Sequence, residues 1–105
     1  MSEAAILHET MLALSDAGCT VFRANVGLFF TRDGRPLKTG LPVGFADLFG
    51  HRPDGRAFYV EIKSETGRVR PQQWQFLKAM RARGAIALVA RSAAEAVAAV
   101  LHNPE

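Results

Sequence analysis

Asp47 and the pair Glu61-x-Lys63, fourteen residues further along, bring two carboxylates and an amine into one stretch of a 105-residue chain. That set of groups suits phosphodiester chemistry. Hard cations such as Mg²⁺ take oxygen ligands and keep several waters, so one or two carboxylates plus a backbone carbonyl suffice to hold one against a phosphate. Such an ion polarises the phosphate and lowers the pKa of a bound water. A lysine beside it can orient that water or neutralise charge growing on the phosphoryl oxygens. Two carboxylates held this close repel one another unless a cation or Lys63 stands near.

The elements around these residues can deliver that arrangement. Ala57-Phe58-Tyr59-Val60-Glu61-Ile62-Lys63 is rich in aromatic and β-branched residues and follows the turn signal Pro53-Asp54-Gly55, which predicts a strand. Side chains at i and i+2 of a strand share a face. Glu61 and Lys63 therefore project together as a wet working face, and Val60 and Ile62 anchor the other side. Asp47-Leu48-Phe49 reads as a second short strand end, and Gly50 to Arg56 is dense in turn formers. Pairing the two strands antiparallel about Asp54 puts Asp47 opposite or diagonal to Glu61, about 5–8 Å away between Cβ atoms. One divalent ion then bridges both carboxylates.

Asp47 followed by Glu61-x-Lys63 resembles the PD-(D/E)xK nuclease superfamily, with Ala46 where the superfamily name has proline. The surrounding motifs narrow the resemblance to the VRR-NUC type: Phe22-Arg23-Ala24-Asn25-Val26-Gly27, Gly44-Phe45-Ala46-Asp47-Leu48, Gly55-Arg56, Gly67-Arg68-Val69-Arg70-Pro71-Gln72-Gln73 and Gly84-Ala85. Their order and spacing extend over nearly the whole chain. The resemblance implies a restriction-endonuclease-like α/β core and a stand-alone domain of the bacterial or phage type that uses Mg²⁺ or Mn²⁺. It also implies a homodimer acting on branched or structured DNA such as Holliday junctions. By the same resemblance the metal ligands are Asp47, Glu61, the Ile62 carbonyl and a glutamate of the first helix, with Lys63 and Gln73 assisting attack by water. Glu3 suits the helix position better than Glu9, because at about 100° per residue Glu3 shares the stripe of Leu7 and Leu14 while Glu9 falls on the far side. Either could instead be a solvated helix carboxylate, Glu3 favoured there by the helix dipole.

Composition sets further limits. A chain of this length makes a single domain over 1–105, and 49% hydrophobic residues can fill its core without disulfides. A lone cysteine, Cys19, allows no internal disulfide and reads as a small buried hydrophobe. Zinc sites need several Cys or His at short fixed spacings, which are absent from the sequence. No apolar run reaches the roughly 18 residues of a membrane span, and the first residues do not have the pattern of a signal peptide. A cytoplasmic protein without membrane contact or small-molecule cofactor is the expectation. The net charge of +3 and pI near 9.6 permit a polyanionic partner.

The periodicities predict the order α-β-β-β-α-β-α around a mixed central sheet flanked by helices. Ser2 to Ala17 reads as a helix capped by Ser2 and stopped by Gly18. A strand over Thr20 to Arg23 follows, then a hairpin across Phe29-Phe30-Thr31 and Arg35 to Lys38 about Arg32-Asp33-Gly34, and then the two strands of the candidate site. Pro71 opens a helix reaching about Arg83, Ala85 to Ala90 is a short buried strand, and Ser92 caps a last helix through Leu101. Arg68 and Arg70 on the loop before the Pro71 helix, and Arg23 and Asn25 at the end of an inner strand, are candidates for gripping DNA phosphates, with Lys38, Arg32 and Arg35 extending the track. Trp74 and Phe76 read as core or dimer surface, and Leu28-Phe29-Phe30 as further apolar surface for a dimer. The rival function is a non-cleaving nucleic-acid-binding module with a nuclease-like fold, or an interaction domain whose charged strand is structural.

Overall fold

The computed structural model describes residues 1–38 and 40–102, with Leu28 described by its backbone alone. Ser2 starts the first helix as expected: its hydroxyl accepts from the Ala5 N–H at 3.1 Å, opening α1 (Glu3–Asp16). Gly18 then adopts φ 92°, a left-handed conformation that turns the chain into β1 (Thr20–Arg23). Next come β2 (Leu28–Phe30), β3 (Pro36–Lys38), β4 (Leu48–His51) and β5 (Ala57–Ile62). The tight connection between β4 and β5 is closed by Gly55 N–H donating to the Arg52 carbonyl at 2.8 Å, with Gly55 at φ 87°. Helix α2 (Pro71–Ala82), strand β6 (Ile86–Ala90) and helix α3 (Ala93–Leu101) complete the order. Ser92 caps α3 by accepting from Glu95 N–H.

The main sheet has the order β1-β4-β5-β6, antiparallel except for the parallel β5–β6 pair that α2 connects. This is the expected mixed sheet between helices. Strands β2 and β3 pair only with one another, as a hairpin inserted between β1 and β4. Strand β1 is consequently an edge strand, not an inner one, because among the described residues its sheet neighbour is β4 alone.

Alternation divides the sheet into two unlike faces. Leu48, Phe58, Val60, Ile62, Ile86 and Ala90 pack with Ile6, Leu7 and Leu14 of α1 and Ala96 and Val100 of α3 into an apolar core. The opposite face is packed by α2, through Leu77, Phe76 and Met80. There Phe45, Phe49, Tyr59 and Phe76 form a chain of rings, the closest pair being Phe45–Phe76 with centroids 4.6 Å apart. Phe76 thus packs against the core, whereas Trp74 two residues earlier stays 40% exposed. Among the described residues no helix is long and apolar enough to cross a membrane.

Candidate active site

The β4–β5 register pairs Leu48 with Val60, so Asp47 and Glu61 are the next opposed residues as β4 begins. Pairing is centred on Asp54, as the turn chemistry predicts. Both carboxylates leave the sheet on the α2 face, at the end where the aromatic chain stops. Asp47 Oδ2 accepts from the Ile62 N–H at 2.8 Å, which locks that carboxylate against the strand bearing Glu61. The Asp47 carbonyl accepts from Ala24 N–H at 2.9 Å, tying the same residue to the chain leaving β1.

Glu61 and Lys63 share one face, but it is not the wet face expected. Glu61 is 2% exposed and Lys63 8%. Strand β5 lies between β4 and β6 with helices on both faces, so even its polar side chains are taken from water. Lys63 continues the ladder by donating its N–H to the Ala90 carbonyl at 3.0 Å, and its Nζ stands 3.7 Å from Glu61 Oε2. Glu61 Oε1 is buried with no hydrogen-bond partner among the described residues. Burial, and next the charge of Asp47, push the Glu61 carboxyl up to about 8 against the pull of Lys63. Burial also raises Asp47, opposed by the Ile62 N–H and Lys63. In the absence of a cation the pair therefore retains a proton near neutral pH.

A buried acceptor without a donor costs about 1–3 kcal/mol, and a divalent cation is the ligand that removes that cost and the mutual repulsion together. The donor set fits: two carboxylates, and the Ile62 carbonyl. The N–H and C=O of one strand residue leave on the same edge, so the Ile62 carbonyl turns toward the Asp47 side, like its N–H. Among the described residues no three His, Cys, Asp or Glu side chains converge on one point. Glu3 stands at the rim, its Oε2 accepting from Ser64 N–H at 3.4 Å, and its charge contributes to raising Asp47. Glu9 is exposed further along α1.

A cleft of about 330 Å³ opens beside Asp47, and Arg23, Asn25, Arg70 and Gln73 all line it. Gly44 makes this possible. It holds φ 94°, and a Cβ there would stand 2.6 Å from the Gln72 carbonyl, so only glycine lets this loop approach the first turn of α2. Gln73 Oε1 accepts from the Arg70 N–H at 2.8 Å, stitching the start of α2 and leaving the amide NH₂ as the pole for a ligand. Arg68 and Lys38 are exposed and outside the cleft wall. Arg32 is likewise exposed on the hairpin, and Arg35 is paired with Asp33 at 3.1 Å.

Arg91, just past β6, was not singled out by the sequence. Its Nη1 donates to the carbonyls of Ser64 at 2.6 Å and Gly67 at 2.8 Å, bracing the loop that follows Lys63 and whose Ser64 N–H meets Glu3. Only its place beside an N-capping serine marks it in sequence, and that says nothing about a loop 24 residues away.

The family profile of the VRR-NUC domain matches residues 30–94. A solved structure described as a VRR_NUC domain superposes with a TM-score of 0.68 at 21% identity, covering 98% of this chain and 99% of that one. A second, a VRR_NUC domain protein, gives 0.56 at 15% identity over 94% of this chain and 87% of that one. At these identities the two structures speak to the fold. No curated protein matches.

Proposed function

The chain belongs to the VRR-NUC family of nuclease-like domains, and from that premise we propose that it is a Mg²⁺- or Mn²⁺-dependent endodeoxyribonuclease acting as a single domain over residues 1–105. The observation that carries the reading is half-buried Asp47 opposed to buried Glu61, whose Oε1 has no hydrogen-bond partner among the described residues, with Lys63 alongside. Asp47, Glu61 and the Ile62 carbonyl would hold the ion, with Glu3 at the rim. When bound, the ion supplies Lewis-acid polarisation of the scissile phosphate.

The chain's own groups do the rest. The Ile62 N–H fixes the Asp47 carboxylate so that it need not reorganise. Lys63, with few conformations open to it when buried, presents a positive charge to the phosphoryl oxygens as negative charge grows there. Gln73 donates its NH₂ to a phosphate oxygen without altering the charge of the site. Arg23, Asn25 and Arg70 hold the DNA backbone in the cleft, and Arg68 and Lys38 extend that contact outward.

The substrate proposed is branched DNA, a Holliday junction among the candidates, cut by a symmetric homodimer. One copy carries one site, and a two-fold substrate cut symmetrically needs two sites related by a two-fold axis. Exposed Trp74, Phe22 and Phe30 support such an interface. The deciding experiment incubates the purified protein with branched and linear DNAs in Mg²⁺, Mn²⁺ or EDTA. Metal-dependent cutting that favours branched forms is expected. Binding without cutting under every condition would assign the chain to non-cleaving nucleic-acid-binding modules.

A further inference from the structure

We propose that the cleft beside Asp47 is a seat for one unpaired nucleotide, with the Phe29 ring stacking on its base. The inference deepens the nuclease reading and rests on it for the choice of DNA as ligand. Three observations carry it. First, the cleft is small: about 330 Å³ lies at the lower end of the range for ligand pockets, enough for a single nucleotide and too little for a base pair. Second, its walls combine cations with amides. Arg23 and Arg70 are suited to phosphate, Asn25 and Gln73 to the edge of a base, and among the described residues lining it Asp47 is the one carboxylate.

Third, the aromatic rings at the cleft are unequal. Phe45 is fixed by edge and tilted contacts to Phe49, Tyr59 and Phe76. Phe29 is 52% exposed and stands on a two-stranded hairpin, opposite Leu37, which is itself 57% exposed. An apolar ring left in water on an element with so little packing is unfavourable by itself. A base face, rimmed by the phosphate-seeking arginines, is the partner whose charge and shape match. Bases stacked in a continuous duplex do not offer that face, and withdrawing one costs least where it is already unpaired. The seat thus selects branch points, bulges and gaps, and sets the neighbouring phosphate next to Asp47 and Glu61.

The test uses duplexes carrying 2-aminopurine, either unpaired at a one-nucleotide bulge or paired in a continuous helix, titrated with the full-length protein in EDTA so that no DNA is cut. Quenching of the unpaired probe alone is expected. Phe29→Ala should lose the quenching and bind bulged DNA about tenfold more weakly, the size of one lost base–aromatic stack, with little change for continuous duplex. Phe29→Trp should restore both. Equal responses to the two probes, or an unchanged preference in Phe29→Ala, would overturn the seat. So would sedimentation showing that Phe29→Ala merely splits a dimer packed through that ring. Because these readouts need no cleavage, a protein that quenches the bulge probe yet never cuts DNA would sink the nuclease reading and leave the seat standing.

Discussion

The two faces of the main sheet are built from the same four strands and serve opposite ends. On one, α1 and α3 close over Phe58, Val60 and Ile62, each at most 1% exposed, in an apolar cluster. On the other, a single helix, α2, packs over a layer that changes along β5 from Tyr59, among aromatic rings, to Glu61, whose Oε1 has no partner among the described residues. The contrast shows where a small domain can carry the cost of buried charge. The well-packed face supplies stability, and the thinly covered face holds the carboxylates close to the cleft.

The largest departure is expected from the polar face. Lys63→Ala should lower cleavage by about 10³-fold, the scale on which a preorganised electrostatic group acts, while Mg²⁺ affinity and DNA affinity stay close to normal. Single-turnover kinetics beside calorimetric titration separates the two, and undiminished cutting would remove Lys63 from the chemistry. Asp47→Asn and Glu61→Gln should instead stop cleavage by weakening Mg²⁺ binding. Unchanged metal affinity in both would dismiss the carboxylate site.

On the apolar face the loss should be one of stability. Phe58 is fully buried, and Phe58→Ala should cost about 3–5 kcal/mol, a large part of the roughly 5–15 kcal/mol available to a domain. Urea unfolding measures it. A cost below 1 kcal/mol would mean that this face is not the principal core.

A smaller effect, opposite in sign to the usual behaviour of acids, should come from pH. Glu61 is raised above its unfolded value, so the metal-free folded protein retains a proton that the unfolded chain releases. Its stability should then decline as pH rises from about 4.3, the ordinary glutamate value, to about 8. Melting curves in EDTA should show the slope, and both Glu61→Gln and saturating Mg²⁺, which displaces the proton, should flatten it. A metal-free melting temperature that rises across this window would contradict the site's electrostatics.

The smallest effect concerns the loop joining the polar face to α2. Arg91→Ala should cost about 1.5–3 kcal/mol, the range for hydrogen bonds to charged groups. It should also increase amide exchange at Ser64 and Gly67 more than in β5. Exchange unchanged at those two amides would show that Arg91 does not brace them.

Local rules carried much of this fold. The serine caps of α1 and α3, Pro71 at the head of α2 and the Pro53-Asp54-Gly55 turn depend on a few neighbouring residues, and each lies where its chemistry requires. The approximation of Asp47 to Glu61 was legible for the same reason: a turn centred on Asp54 and a period of two determine which residues oppose one another. Burial of Glu61 and Lys63 was not legible. Glu61-x-Lys63 has the pattern of a solvated strand face, and only the placement of β5 between β4 and β6 withdraws it from water.

What the sequence determined by itself is therefore the type and order of the elements and the face on which each reactive side chain stands, since capping, turn and alternation act over a few residues. Tertiary structure alone decided that β1 is an edge strand and that β2–β3 stands apart from the main sheet. It also brought Arg91 to the carbonyls of Ser64 and Gly67, and Gly44 against the Gln72 carbonyl. It stripped Glu61 of water and so raised its affinity for a proton. These features depend on which atoms approach through space from distant parts of the chain, and desolvation is a property of all the neighbours together, which no short stretch of sequence contains.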